Sequence, residues 1–415
     1  MEQTLNRGRS RTAHRGNDAR KQRMLKDYRA SETRGSVDLP FLILTLIILT
    51  IGIIMVLSAS YARAYYTEGN PTHYFWRQMI FAVSGVAIML FASRLPVSLY
   101  RRFSMLLLLI SIVMLALVPI IGMEENGATR WINLKFTTFQ PSEIAKLAVI
   151  MGFSVMICTF KEKMQTFKYG VLPFAAVLAL VVGLLVLEPH LSASVIILAI
   201  GAIMMFAGGT HIKWFILLGI VVAAAGVILV GQLGYAMERI QSWRDPFSDL
   251  QGDGWQIVQS LYAVGSGGVL GLGIGQGRQK FLYLPEEHND FIFSVVCEEL
   301  GFVGATLILV LFALLVIRGY WIALHAKNRY SALLVTGITS LLAIQVFLNV
   351  AVVTNFIPCT GISLPFFSYG GTALWLQLAE MGIVLAVSRE IPLKRSKDRL
   401  KKSSKELNNN GKEVK

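Results

Sequence analysis

The chain has 415 residues, of which 54% are hydrophobic and 15% charged, and 39 Lys and Arg against 25 Asp and Glu give a formal net charge of +14. Mean hydropathy is +0.58. A soluble domain of this size carries more charge, so the balance excludes a soluble globular enzyme and indicates an integral membrane protein.

In chain order, residues 1–38 form a basic polar tail, rich in Arg, Ser, Gly and Asn between Arg7 and Arg34, that is expected to be disordered. The first apolar run after it is long enough to span, so no cleavable signal peptide is expected. A span needs about 20 apolar residues. Such runs occur at roughly 40–61, 75–94, 103–122, 143–160, 168–187, 190–208, 212–233, 290–317, 331–354 and 371–388. The fold class expected is therefore an all-α integral membrane protein of ten transmembrane helices, with residues 39–390 as one polytopic domain. A large extracellular loop, 234–289, separates helices 7 and 8. Only Glu188-Pro189-His190 splits the fifth run from the sixth, and a re-entrant hairpin there would return the chain to the same side. Residues 391–415 are a second basic tail, placed in the cytoplasm.

Lys and Arg are segregated. Both tails, and the loops holding Arg101-Arg102, Lys161/Lys163/Lys168 and Lys327/Arg329, fall on one side of a ten-span chain. The positive-inside rule puts that side, with both termini, in the cytoplasm. This topological explanation of the basic tails leaves no need for nucleic acid as a partner. Cys158, Cys297 and Cys359 show no metal or redox spacing and read as packing residues. No internal repeat is visible, which weakens a transport reading.

Three outer segments, 123–142, 234–289 and 355–372, can converge on one site. Glu143 and Lys146 open the fourth span three residues apart, on one helix face. They read either as a functional cavity pair or as a salt bridge at a helix end capped by Ser142. Asp290 opens the eighth span after His288 and Asn289. It reads either as an N-cap or as a general base; a helix N-terminus lowers its pKa and a dry cavity raises it. At about 100° per residue Glu298 shares the Asp290 side and could line the same cavity, while Glu299 points away and needs another partner. Arg239, Arg244, Arg278 and Lys280 are the cations of the long loop, either solvated or set to meet phosphate oxygens. The glycine run 265–277 lacks the βαβ context of a nucleotide fingerprint and reads as close backbone approach. His190 and His211 read as satisfied interface histidines.

Several segments, in this order, resemble the SEDS family of bacterial shape, elongation, division and sporulation proteins over roughly residues 40–390. They are Gly127-Ala128-Thr129-Arg130-Trp131-Ile132, Gln140-Pro141-Ser142-Glu143-Ile144-Ala145-Lys146, Arg244-Asp245-Pro246-Phe247, Gln259-Ser260-Leu261, Gln279-Lys280-Phe281-Leu282-Tyr283-Leu284-Pro285-Glu286, Asn289-Asp290-Phe291-Ile292-Phe293, Glu298-Glu299-Leu300-Gly301 and Ser368-Tyr369-Gly370-Gly371. The run from Gln279 to Glu286 looks more like the division and sporulation branch than the elongation branch. The resemblance implies a peptidoglycan glycosyltransferase that polymerises lipid II. Its partners would be a class B penicillin-binding transpeptidase and other divisome proteins. The family's essential aspartate maps onto Asp290 and its cavity pair onto Glu143 and Lys146. Arg130, Arg244, Lys280, His288 and Ser368 join them as candidates for the substrate cavity and diphosphate. Two departures stand out: Asn289 where the family usually has Thr, and Glu188-Pro189-His190-Leu191-Ser192 where it usually has Gln-Pro-Asp-Leu-Gly. A divalent cation, Mg or Mn, is compatible with the chemistry, but the sequence has no dedicated ligand cluster for one. A lipid II flippase and a non-catalytic scaffold for the transpeptidase are the competing functions.

Overall fold

The computed structural model describes residues 35–391 except 126–127, 134–136, 233, 249, 251 and 253. The tail expectations for 1–34 and 392–415 lie outside the described residues.

Apolar runs become helices because only a helix satisfies its own backbone in lipid. In chain order they are α1 (Leu39–Glu68), α2 (His73–Ala92), α3 (Val97–Ile121), α4 (Pro141–Phe160), the single turn α5 (Phe167–Gly170), α6 (Leu172–Leu187), α7 (Leu191–Ala207) and α8 (Ile212–Gln232). Then come α9 (Gly234–Arg244), α10 (Trp255–Ser266), α11 (Ile292–Leu324), α12 (Arg329–Val353) and α13 (Gly371–Ser388). Eight helical segments among the described residues are long and apolar enough to cross a membrane, so the chain is a multi-pass membrane protein. α7, 17 residues long, is a shorter apolar helix between them.

Asp38 caps α1 by accepting from Phe41 N–H at 3.0 Å, with Pro40 in the first turn. The same carboxylate takes both arms of Arg318 of α11 at 2.9 and 2.6 Å, and Asp38 N–H donates to Ser388 Oγ at 3.1 Å. The start of α1 and the end of α13 therefore lie together. Within the bundle α2 packs on α13, α3 on α4, and α11 on both α1 and α12.

Two expected irregular segments carry structure. Between α3 and α4 lies an antiparallel sheet in the order β1 (Met123–Glu125), β2 (Ala128–Asn133), β3 (Thr138–Phe139). The span 234–289, read as one loop, contains α9 and α10. The helix expected to start at Asp290 starts at Ile292.

The glycine run packs against a break in α11. Gly301 has φ 66°, ψ −170° inside that helix. The freed backbone is satisfied by the run: Leu272 and Gly273 N–H donate to Glu298 and Glu299 O at 3.0 Å, and Phe302 N–H donates to Gly268 O at 2.9 Å. A Cβ on Gly301 would lie 2.2 Å from Gly271 N, so backbone meets backbone where only glycine fits.

Candidate functional site

A cavity of about 560 Å³ opens where α2, α4, α7 and α13 begin. β2, the 286–290 segment and the 361–363 segment complete its walls. Asp290, Glu143, Lys146 and Arg130 all line it, so four of the expected site residues are brought together.

Asp290 is held by its backbone. Three consecutive carbonyls are pinned, two to the 368–369 segment and one to α12: His288 O accepts from Tyr369 N–H at 2.8 Å, Asn289 O from Ser368 Oγ at 2.8 Å, and Asp290 O from Asn349 Nδ2 at 2.8 Å. The same Asn349 amide donates to Ile362 O at 2.7 Å. Across the gap, Gly361 has φ 64°, and a Cβ there would lie 3.1 Å from Asp290 Oδ2. Glycine at 361 thus keeps the carboxylate clear. Burial, reinforced by the neighbouring Glu286 carboxylate, pushes the Asp290 carboxyl up to about 6, while Arg239, Arg130 and His288 pull against that rise. Glu286 itself accepts from Asn289 Nδ2 at 2.6 Å.

Opposite stands the pair Glu143–Lys146, with Nζ 2.7 Å from Oε1 and the lysine buried. The shared helix face expected from their spacing is present. Arg130 projects from β2 and donates to the carbonyl of Pro189, joining the hairpin to the α6–α7 turn. In that turn burial raises the Glu188 carboxyl to about 8 against the pull of Arg130. Burial, with Arg130 and Lys146 adding to it, lowers His190 to about 3, so its ring is neutral. His190 lines the cavity and sits 3.4 Å from Gln140 Nε2.

Four expected site residues are elsewhere. Lys280 is 2% exposed, 2.6 Å from Glu299 and 3.0 Å from Ser58 Oγ, so it neutralises a buried carboxylate and does not reach the cavity. Ser368 spends its hydroxyl on Asn289 O and Leu364 N–H, which makes it a tie under the wall. His288 is buried against the rings of Tyr74 and Tyr369. Arg244 ends α9 as an exposed side chain away from the cavity lining. Glu298 also departs from expectation. Its carboxylate accepts from Arg278 N–H at 2.8 Å and Gln279 N–H at 3.3 Å, because the turn before Ile292 breaks the helical projection from Asp290. Glu299 has the other partner expected of it, Lys280.

The sequence reading missed Arg77, which lines the cavity and hydrogen-bonds Tyr369. It missed Asn349, and also Glu380, a buried acid within α13 that interacts electrostatically with Lys146 and Glu143. A polar residue inside an apolar run was the available signal for Asn349 and Glu380. Among the described residues no three His, Cys, Asp or Glu side chains gather as a metal-ligand group, so the donor set does not fit a dedicated protein cage for Mg or Mn.

Comparison with known proteins gives a consistent result. The FtsW/RodA/SpoVE profile, described as cell cycle protein, matches residues 39–392. Stage V sporulation protein E of Bacillus subtilis is 42% identical over 356 residues, 85% of this chain and 97% of that protein. The probable peptidoglycan glycosyltransferase FtsW of Trichlorobacter lovleyi is 39% identical over 372 residues, 89% of this chain and 98% of that one. A chain of a peptidoglycan synthase complex that coordinates polymerisation and crosslinking superimposes with a TM-score of 0.70 at 29% identity, covering 85% of this chain and 98% of that chain. The rod shape determining protein RodA of Thermus thermophilus gives 0.64 at 27% identity, over 86% and 98%. Sequence and fold agree over nearly the whole described chain, which belongs to the FtsW/RodA/SpoVE family of cell cycle proteins.

Proposed function

We propose that the chain is a peptidoglycan glycosyltransferase that polymerises lipid II into glycan strands for septal or sporulation wall synthesis. The observation that carries this reading is the Asp290 carboxyl, raised to about 6, in one cavity with Lys146, Arg130 and Arg77. A base near neutrality and a set of cations are the two requirements of the reaction. Asp290 takes the proton of the acceptor sugar hydroxyl. The hydroxyl oxygen forms a bond to the anomeric carbon of the donor sugar, whose bond to the lipid diphosphate breaks with its electron pair. Lys146, Arg130 and Arg77 stabilise the departing diphosphate. Glu143 holds Lys146 in place, and the Asn349 and Ser368 ties keep the base from drifting.

The membrane arrangement follows from the same reading. Ten helices span, α7 and α8 among them; both termini face the cytoplasm, and 234–289 lies outside with the cavity. The lipid tail of the substrate stays in the bilayer. A class B penicillin-binding transpeptidase is the crosslinking partner, supported by likeness to a synthase complex that pairs polymerisation with crosslinking. Other divisome proteins complete the assembly. The test is polymer formation by the purified chain from lipid II in detergent. Polymer there supports a glycosyltransferase, whereas a flippase or a scaffold would leave lipid II unpolymerised.

A further inference from the structure

A second and larger cavity, about 780 Å³, lies at the opposite end of the bundle. It forms where α2 and α13 end and α3 and α12 begin. α2 runs from His73 in the Asp290 cavity to Ala92 beside this one, and α13 from Gly371 to Ser388. Helices of 20 and 18 residues rise about 27–30 Å, the thickness of the hydrocarbon core. The second cavity therefore sits at the other membrane surface.

Its charge is one-sided. Arg94, Arg101, Lys327 and Arg389 line it, against the single carboxylate of Glu390. That acid is engaged by Val97 N–H and lies near Lys327, which leaves an excess of cations. Arg101 stands 5.9 Å from the Tyr330 ring centroid. Arg389 Nε is buried and has no hydrogen-bond acceptor among the described residues. Four cations around one cavity at a membrane surface suit an anionic oxygen, for which guanidinium and ammonium groups are the usual partners. The chain's own tails, 1–34 and 392–415, are rich in Lys and Arg, so charge works against them as occupants. Phe91 and Phe103, close in sequence to Arg94 and Arg101, are exposed apolar side chains on α2 and α3, suited to acyl chains.

We propose that this cavity binds the phosphate headgroup of an anionic phospholipid from the adjoining leaflet, with its acyl chains along Phe91 and Phe103. Basic pockets between transmembrane helices suit such headgroups, and the arrangement does not depend on the chemistry at Asp290.

The test is native mass spectrometry of the detergent-solubilised full chain with dioctanoyl phosphatidylglycerol. Parallel arms use dioctanoyl phosphatidylcholine, inorganic phosphate and a polyglutamate peptide. Saturable binding of phosphatidylglycerol alone is expected, weakening about fivefold per cation removed and about 100-fold in the Arg94→Gln, Arg101→Gln, Lys327→Gln triple variant. If the triple variant fails to fold, Lys327→Gln alone, at an exposed position, carries the fivefold test. Unchanged binding by the variant would overturn the proposal. So would equal binding of phosphatidylcholine, equally tight inorganic phosphate, or displacement of the lipid by the peptide.

Discussion

The amide of Asn349 donates to the main-chain oxygen of Asp290 at 2.8 Å and to that of Ile362 at 2.7 Å, so one buried side chain of α12 ties the carboxylate's own residue to the wall facing it. Asn349→Ala leaves two carbonyls without that donor, at about 1–3 kcal/mol each. A lower melting temperature is expected. Glycan synthesis should fall by about 10- to 100-fold, since displacing a reacting group by about 1 Å has that cost. Asn349→Asp keeps the size but loses the donor, and should rescue neither quantity. A wild-type rate in Asn349→Ala would remove Asn349 from the account.

Glu143 and Lys146, 2.7 Å apart, should behave as a unit. Removing one partner strands a buried charge, at about 3–5 kcal/mol, whereas removing both does not. Glu143→Ala and Lys146→Ala should each lower the polymerisation rate, and the double variant should cost less than their sum. Strict additivity would mean that the pair is not coupled.

Lys280 separates a structural role from diphosphate binding. Its ammonium neutralises Glu299, which is 1% exposed and also accepts from Ser58 Oγ. Lys280→Met should lower yield and melting temperature, and Lys280→Met with Glu299→Gln should recover much of the loss. The rate per folded molecule should stay near wild type. A raised KM with unchanged melting would instead return Lys280 to the diphosphate.

The helices were legible because apolar runs of bilayer length have few alternatives in lipid. The shared face of Glu143 and Lys146 was legible because α4 is regular from Pro141 onward. Glu298 was misread because the projection carried a helix back through Asp290, while the chain turns before Ile292. Lys280 was misread because loop charge says nothing about burial, and its partner lies 19 residues on, in a helix. The strands near 123–139 and helices α9 and α10 were missed because these segments lack bilayer-length apolar runs. Asn349 looked like one polar residue in an apolar span until its two acceptors came together around it.

The pH profile follows from the Asp290 carboxyl. A base works only when deprotonated, and burial raises this group to about 6. The rate of glycan synthesis should therefore rise about tenfold per pH unit below 6 and level off above it, within the range where the protein stays folded. An ordinary carboxylate near 3.8 would give a flat profile between pH 5 and 7.

The most direct measurement is polymerisation of lipid II by purified Asp290→Asn beside wild type. Asparagine keeps the size of aspartate but cannot accept the proton. The variant should fold and insert, yet lose at least about 100-fold in rate, with Asp290→Glu retaining a little activity. Near-normal polymer from well-folded Asp290→Asn would contradict the assignment of Asp290 as the base.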